Sequence, residues 1–236
     1  MRLVRLPGVF RPRSDTWMLA RELVSSLPGP GASVLELCTG SGAVALEAAA
    51  AGAEVTAVDV SRRSVATVRL NARLRGLRMR ALRGSLFEPV AGQRFDLIAT
   101  NPPYVPASDD TLPTSGPERA WDAGRDGRAL IDPICDAAAD HLTDGGAILI
   151  VHSSLCGTGA TVARLRAAGL EADVPVRSRG PLGPLMLARV DQLEATGALK
   201  PGKREEEIVI VRGRKRAASP ERPAPAPASP EAAEPR

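Results

Sequence analysis

Aromatic side chains are scarce: Phe, Trp and Tyr together make up 3% of the 236 residues, and Tyr104 is the single tyrosine. A protein that strings single-stranded nucleic acid over successive stacked rings has little material for it here. Histidine is nearly missing too, with only His141 and His152, and the three cysteines, Cys38, Cys135 and Cys156, are an odd set without metal-ligand spacing. That pattern argues against a disulfide framework and a zinc centre, and no metal is expected. Apolar runs are short, since Arg, Asp, Pro or Gly interrupts each one well before the roughly 18 residues that a membrane helix needs. No membrane partner is expected. The opening "MRLVRLPGVFRPRSD" also lacks the apolar core and small-residue cleavage site of a secretion signal, so the expected location is cytoplasmic. Charge of neither sign dominates: 31 Lys and Arg against 27 Asp and Glu leave a net charge of +4, which reads as a solvated basic face in preference to a nucleic-acid surface.

What the chain does have is alternation. From about Ser33, short apolar runs ("SVLEL", "AEVTAVDV", "MRALRG", "RFDLIAT", "GGAILIVH") are separated by stretches of helical character ("AVALEAAAAG", "SRRSVATVRLNARLRG", "GRALIDPICDAAADHL"). Strand and helix signals in this order predict βαβ units, hence an α/β fold with a parallel, doubly wound sheet. Beyond Gly157 the pattern predicts a helix in "TGATVARLRAAG", a strand in "LEADVPVRS", one helix across "PLGPLMLARVDQLEATG" and a last strand in "REEEIVIVRG". Residues 1–30 read as a lead-in carrying one short helix, with Ser14 or Asp15 as its N-cap, and residues 31–213 as the folded domain. Residues 214–236 are almost wholly Ala, Pro, Glu, Arg, Lys and Ser, a composition expected to stay disordered.

Two stretches carry chemistry. "VLELCTGSGAVAL" sets Gly40 and Gly42 between the first strand and the first helix of the alternation, where open parallel sheets bind ligands and where a helix N-terminus offers unpaired N–H groups. Asp59 ends the next strand, in place to accept the hydroxyl protons of a ribose. A tight turn and a helix-capping aspartate are the plainer alternatives, and it is their joint register that favours a nucleoside. The turn lacks both the G-x-G-x-x-G spacing and the lysine of a phosphate loop, so the ligand need not carry a pyrophosphate. The second stretch is "ATNPPYVP": Asn followed by two prolines continues neither helix nor sheet, so a rigid element is presented at a strand's end.

The combination of "ELCTGSG", "VDVS" and "FDLIATNPPYVP" resembles the Rossmann-like class I S-adenosyl-L-methionine-dependent methyltransferases, and within them the release-factor glutamine methyltransferase family in its short form, without an N-terminal helical substrate domain. The resemblance covers residues 9–213, including "VFRPRSDTWMLA" and "PERAWDAGRDGRALI". It implies a mostly parallel seven-stranded sheet with an antiparallel C-terminal strand. It implies S-adenosyl-L-methionine as cofactor, lined by Thr16, Glu36, Cys38, Thr39, Gly40, Gly42, Asp59, Ser85, Leu86 and Asn101, with Glu36 at the methionine end, Asp59 at the ribose, and Ser85 and Leu86 at the adenine. Asn101, Pro102, Pro103 and Tyr104 would form the catalytic loop. An amide nitrogen is a poor nucleophile because its lone pair is delocalised, and the loop would hold the NH₂ through the Asn101 side-chain oxygen and the Pro102 carbonyl while Tyr104 packs on the planar group. Two departures stand out: Cys38 occupies the place of the family's first glycine, and Ser85 that of an acidic residue.

The acceptor that the resemblance implies is the glutamine of the Gly-Gly-Gln motif of a peptide chain release factor, with a small partner subunit as in the short relatives. The same tetrapeptide occurs in methyltransferases acting on adenine or cytosine, which keeps an N6-adenine-type nucleic-acid enzyme as an alternative. A third reading is a catalytically idle protein that docks through its basic "GRKR" stretch. Residues 107–126, rich in Asp, Ser, Thr, Pro and Gly, are expected to form a mobile substrate loop. Trp17 is expected in the core and Trp121 beside the substrate channel.

Overall fold

The computed structural model describes residues 3–217. The central strands β1 (Ser33–Leu37), β4 (Phe95–Thr100) and β5 (Leu142–Ser153) are almost continuously buried, because helices cover both faces of a parallel sheet and leave no solvated side for polar alternation. β2 (Glu54–Asp59) and β3 (Met79–Arg83) lie on one flank, and β6 (Glu171–Pro181) and β7 (Glu205–Arg214) on the other. The order of the seven strands is β3-β2-β1-β4-β5-β7-β6. All neighbours pair in parallel except that β7 runs antiparallel to both β5 and β6. This is the expected class I methyltransferase sheet. The order reverses between β1 and β4, so the two connections leave in opposite directions and open a crevice beyond the strand ends.

Successive residues of β1 point to opposite faces, and each face has its own core. Val34 joins Leu97 and Leu149 under Leu19 and Leu23 of α1 (Ser14–Ser25), Val44 of α2 (Ala43–Ala50) and Val68 of α3 (Arg62–Leu74). Leu35 joins Ile98, Ile148 and Ile150 under Ile131 and Ile134 of α4 (Ile131–Ala137) and Leu165 of α5 (Thr158–Ala167). Trp17 packs against the first core, as its sequence context suggested. α1 is therefore an integral layer rather than a lead-in, and the backbone of Val4 is clamped to α3 by reciprocal bonds with the Asn71 side chain at 2.9 Å each.

Three further expectations need correction. The N-cap of α1 is Arg13, whose N–H donates to the Thr16 hydroxyl at 3.3 Å, and not Ser14 or Asp15. The single helix expected over "PLGPLMLARVDQLEATG" is two, α6 (Pro184–Leu187) and α7 (Val190–Ala195), because Arg189 leaves helical geometry (φ −124°, ψ 18°) and binds the Pro106 carbonyl and Asp122. Together with Val105, Leu182 and Leu199 these helices make a small third cluster over the sheet's C-terminal end. Finally, the last strand runs to Arg214, and Lys215 and Arg216 are still held, the first by the Ala139 and Leu142 carbonyls and the second by Glu171. The rest of the tail expected to be disordered, from residue 218 on, lies outside the described residues. Among those residues no helix is long and apolar enough to cross a membrane.

Asp96 ties the opposite end of the sheet. It accepts from the Ser33 N–H and hydroxyl, both at 2.9 Å, and from the Thr143 hydroxyl at 2.9 Å, joining β1, β4 and β5. Burial alone would raise its pKa, but the Ser33 and Thr143 donors outweigh it and hold the carboxyl below its ordinary value. A depressed folded-state pKa adds stability above the unfolded value and loses it as pH falls through the folded one. Asp96→Asn is expected to cost roughly 1–2 kcal/mol near neutrality, and thermal melts should show the gap closing as pH falls below the ordinary carboxyl value of 3.8 and through the depressed folded-state one.

Candidate active site

β1, β2 and β4 end side by side, and the site is built on their tips. Beyond β1, Cys38 (φ 56°) and Gly40 (φ 54°) both take left-handed backbone conformations, which turns the chain back toward α2. At Cys38 that conformation costs a non-glycine residue about 1–2 kcal/mol, which explains why glycine suits the position. Its thiol is pushed up to about 12, by burial first and then by the Asp59 charge, so it stays protonated and acts as a small hydrophobe rather than a nucleophile. Gly42 closes the turn by donating to the Thr39 carbonyl at 2.8 Å, and a Cβ there would meet Val68 at 2.9 Å.

Two carboxylates stiffen this turn from below. Glu36 is buried; its Oε2 accepts from the Thr39 hydroxyl and from the Ala45 N–H at 3.0 Å in the first turn of α2. Burial nevertheless prevails over these bonds and lifts its pKa to about 8, with a further push from Asp59. Asp59 accepts from the Gly40 N–H through Oδ2 and from the Ser61 N–H through Oδ1, each at 2.8 Å, so it locks the turn to the tip of β2. Burial raises its pKa against those donors. Past β3, Leu86 has φ 43°, and the N–H of Ser85 is accepted by Glu88 at 3.3 Å; an acid thus stands three residues after the serine rather than at it.

At the end of β4 the tetrapeptide of residues 101–104 is held on both sides. Asn101 Nδ2 donates to Asp15 Oδ2 and to Thr16 Oγ1, each at 3.2 Å, and the Tyr104 hydroxyl donates to Asp15 Oδ2 at 2.9 Å. On the far side the Tyr104 carbonyl accepts from Cys156 Sγ at 3.0 Å, and a Cβ on Gly127 would come within 2.4 Å of that carbonyl. Arg128, nearly buried, holds this backing in place through the carbonyl of Cys156 at 2.6 Å, Thr161 Oγ1 at 3.0 Å and Asp132 at 2.5 Å.

These groups face one cavity of about 500 Å³, a size suited to a nucleoside-bearing ligand. Thr16, Glu36, Cys38, Thr39, Gly40, Asp59, Ser85, Leu86, Asn101, Pro102, Pro103 and Tyr104 all line it. Gly42 does not: it shapes the turn from behind. The cavity continues past Tyr104 between Trp121 and the segment Pro181, Gly183 and Met186, floored by Glu206, whose carboxylate accepts from the Ser153 hydroxyl and the Gly183 N–H. Trp121 lines this part of the cavity. The loop expected to be mobile is pinned at its base, where Val105 and Ala107 donate to the Trp121 and Gly124 carbonyls at 2.7 and 2.8 Å.

Several lining residues escaped the sequence reading: Asp15, Arg119, Glu206 and the stretch around Gly183. Asp15 had a usable signal, since it shares a helical face with Met18 and Leu19, and an acid on the buried face of an amphipathic helix needs a partner. Arg119 and Glu206 arrive from distant parts of the chain and had none. Among the described residues no group of three or more His, Cys, Asp and Glu could hold a metal ion.

Comparison with known proteins agrees with this geometry. Residues 1–114 match the family model of the methyltransferase small domain. A putative protein N5-glutamine methyltransferase of Methanocaldococcus jannaschii is 32% identical over 182 residues, covering 77% of this chain and 90% of that protein. A release factor glutamine methyltransferase of Geobacter sulfurreducens is 38% identical over 151 residues, 61% of this chain, which spans only 53% of that longer protein. An E. cuniculi methyltransferase, solved in complex with a second protein and responsible for methylation of a translation termination factor, shares the fold with a TM-score of 0.60 at 22% identity over 88% of this chain and 99% of that one. With the archaeal relative matched over nearly its whole length and the asparagine loop seated at the sheet's switch point, the chain belongs to the protein N5-glutamine methyltransferase family.

Proposed function

We propose that this protein transfers the methyl group of S-adenosyl-L-methionine to the side-chain amide nitrogen of a protein glutamine, in the Gly-Gly-Gln motif of a peptide chain release factor. The observation that carries the reading is the fixed direction of Asn101: its NH₂ is spent on Asp15 and Thr16, which leaves Oδ1 as the acceptor that the cavity can use. A planar amide is gripped by such an oxygen together with the Pro102 carbonyl, and proline adds no competing N–H donor.

The donor set fits the cofactor. Asp59 keeps spare lone pairs for ribose hydroxyls while bonded to the Gly40 and Ser61 amides, and buried Glu36 supplies negative charge for the methionine ammonium. Gly40 lets the turn's backbone come close to the ligand. When bound, the cofactor supplies an electrophilic methyl on a sulfonium. The chain's own share is orientation: Asn101 and the Pro102 carbonyl aim the nitrogen, Tyr104 packs on the amide plane, and the site keeps the pair in line. Asp59, Glu36 and the Gly40 turn would hold the cofactor as it gives up its methyl carbon and leaves as a neutral thioether, while Asn101 and the Pro102 carbonyl would grip the amide nitrogen as it loses one proton to solvent. Positioning of this kind can lower a barrier by about 7–11 kcal/mol, so no strong general base is needed. The release factor is the protein acceptor favoured by the relatives' activities, and a small partner subunit is proposed by analogy with the E. cuniculi complex.

Mass spectrometry of purified release factor, RNA and DNA after incubation with enzyme and cofactor tests the acceptor; a methylated base beside unmodified glutamine would overturn it. Asn101→Ala is expected to lower kcat by roughly 10³-fold with the fold intact by circular dichroism, and Asp59→Ala to weaken cofactor binding about 10- to 100-fold. Equal turnover of Asn101→Ala and wild type would remove the mechanism.

Glu36 generates a pH prediction. Its pKa moves from 4.5 to about 8 on folding, so its burial costs nothing below 4.5 and destabilises the empty protein increasingly up to about pH 8. Melts of Glu36→Gln should match wild type near pH 4 and exceed it near pH 8. Cofactor binding should release a proton near pH 7 in wild type and not in the variant, measurable by calorimetry in buffers of different ionisation enthalpy.

A further inference from the structure

We infer that Asp15 is a positioning residue for methyl transfer, orienting the Asn101 amide and anchoring the Tyr104 ring from the first turn of the N-terminal helix. The inference rests on the reading of Asn101 as the group that grips the acceptor. Asp15 is 6% exposed and forms no ion pair among the described residues, so hydrogen bonds alone satisfy it. It receives four: Oδ1 accepts from the Thr16 N–H at 2.6 Å and the Thr16 hydroxyl at 3.2 Å, and Oδ2 from Asn101 and Tyr104. In all four bonds a carboxyl oxygen of Asp15 is the acceptor, and that fixes the direction of every bond around it. Thr16 Oγ1 takes the Arg13 N–H and the Asn101 Nδ2 and must give its own proton to Asp15. Asn101 must turn its NH₂ inward, which leaves its oxygen for the acceptor. The Tyr104 hydroxyl must donate, which anchors the ring beside that oxygen. None of these groups is within 85 positions of Asp15 in sequence except Thr16 and Arg13, so the docking of α1 onto the sheet is what orients the catalytic loop.

Asp15→Asn replaces one acceptor by a donor of the same shape. The Thr16 N–H cannot turn, so the new NH₂ faces Asn101 and forces that amide to rotate, presenting a donor to a donor. With release factor as acceptor, kcat should fall roughly 10²- to 10³-fold while cofactor affinity stays within about threefold, and Asp15→Asn should add little further loss in an Asn101→Ala background. Because Tyr104 is the only tyrosine, its ¹³Cζ resonance in labelled protein reports the phenol's bond directly and should shift in the variant. Wild-type kcat in Asp15→Asn, an additive loss in the double variant, or an unmoved Tyr104 resonance would overturn the inference. In wild-type protein the Asn101 side-chain NH₂ should exchange slowly and show contacts to Asp15 and Thr16; free rotation or the opposite orientation would overturn it even if the variant failed to fold. If wild type methylated no glutamine at all, the proposed acceptor would fall, while the two resonance measurements would still judge Asp15.

Discussion

A strand that ends in Asn-Pro-Pro-Tyr must be held without the backbone bonds that normally hold a chain, since two successive residues have no N–H to give. The surrounding structure meets that constraint from two sides. In front, Asp15 and Thr16 take the Asn101 amide and the Tyr104 hydroxyl; behind, Cys156 donates to the Tyr104 carbonyl, Gly127 lies against it and Arg128 braces both. The groups come from the first helix, from the loop after β4 and from the end of β5. A tetrapeptide that local sequence leaves unsupported is thus fixed by three distant segments.

The electrostatics of the cavity follow from the same crowding. Glu36, Asp59 and Asp15 all face it from buried or nearly buried positions, and the first two have raised pKa values because burial outweighs their hydrogen bonds. Such groups weaken the empty fold and favour a positively charged ligand, the balance expected where function rather than stability has shaped a site. The left-handed backbone at Cys38 and Leu86 belongs with them: both strained residues line the cavity, and both also pack against the core beneath it.

The part of the cavity beyond Tyr104 is made differently. It is walled by the pinned loop of residues 105–124 and by the insertion between β6 and β7, which meet where Arg189 binds Asp122 and the Pro106 carbonyl and Gln192 binds the Ala107 carbonyl. Glu206 fastens the root of that insertion to β5 and β7 through Ser153 and Gly183. One half of the cavity is shaped by strand tips, and the other by long-range contacts between loops.

This division explains what was legible. The alternation of apolar runs determined the α/β class, the positions of the strands, and through "ELCTGSG", "VDV" and "NPPY" most of the cavity lining at the strand tips, because each of those signals is local to one strand end and parallel strands bring their ends together by construction. The break at Arg189, the cap at Arg13, the pinning of the loop after Tyr104 and the arrival of Asp15 and Glu206 were decided only by tertiary structure. Apart from the Arg13 cap, which binds Thr16 three positions on, the partners lie far along the chain, and whether a carboxylate caps its own helix or reaches into a distant loop depends on which face that helix buries. Local spacing carries chemistry to the tips of the strands; the direction in which Asn101 points is settled by how a separate helix packs.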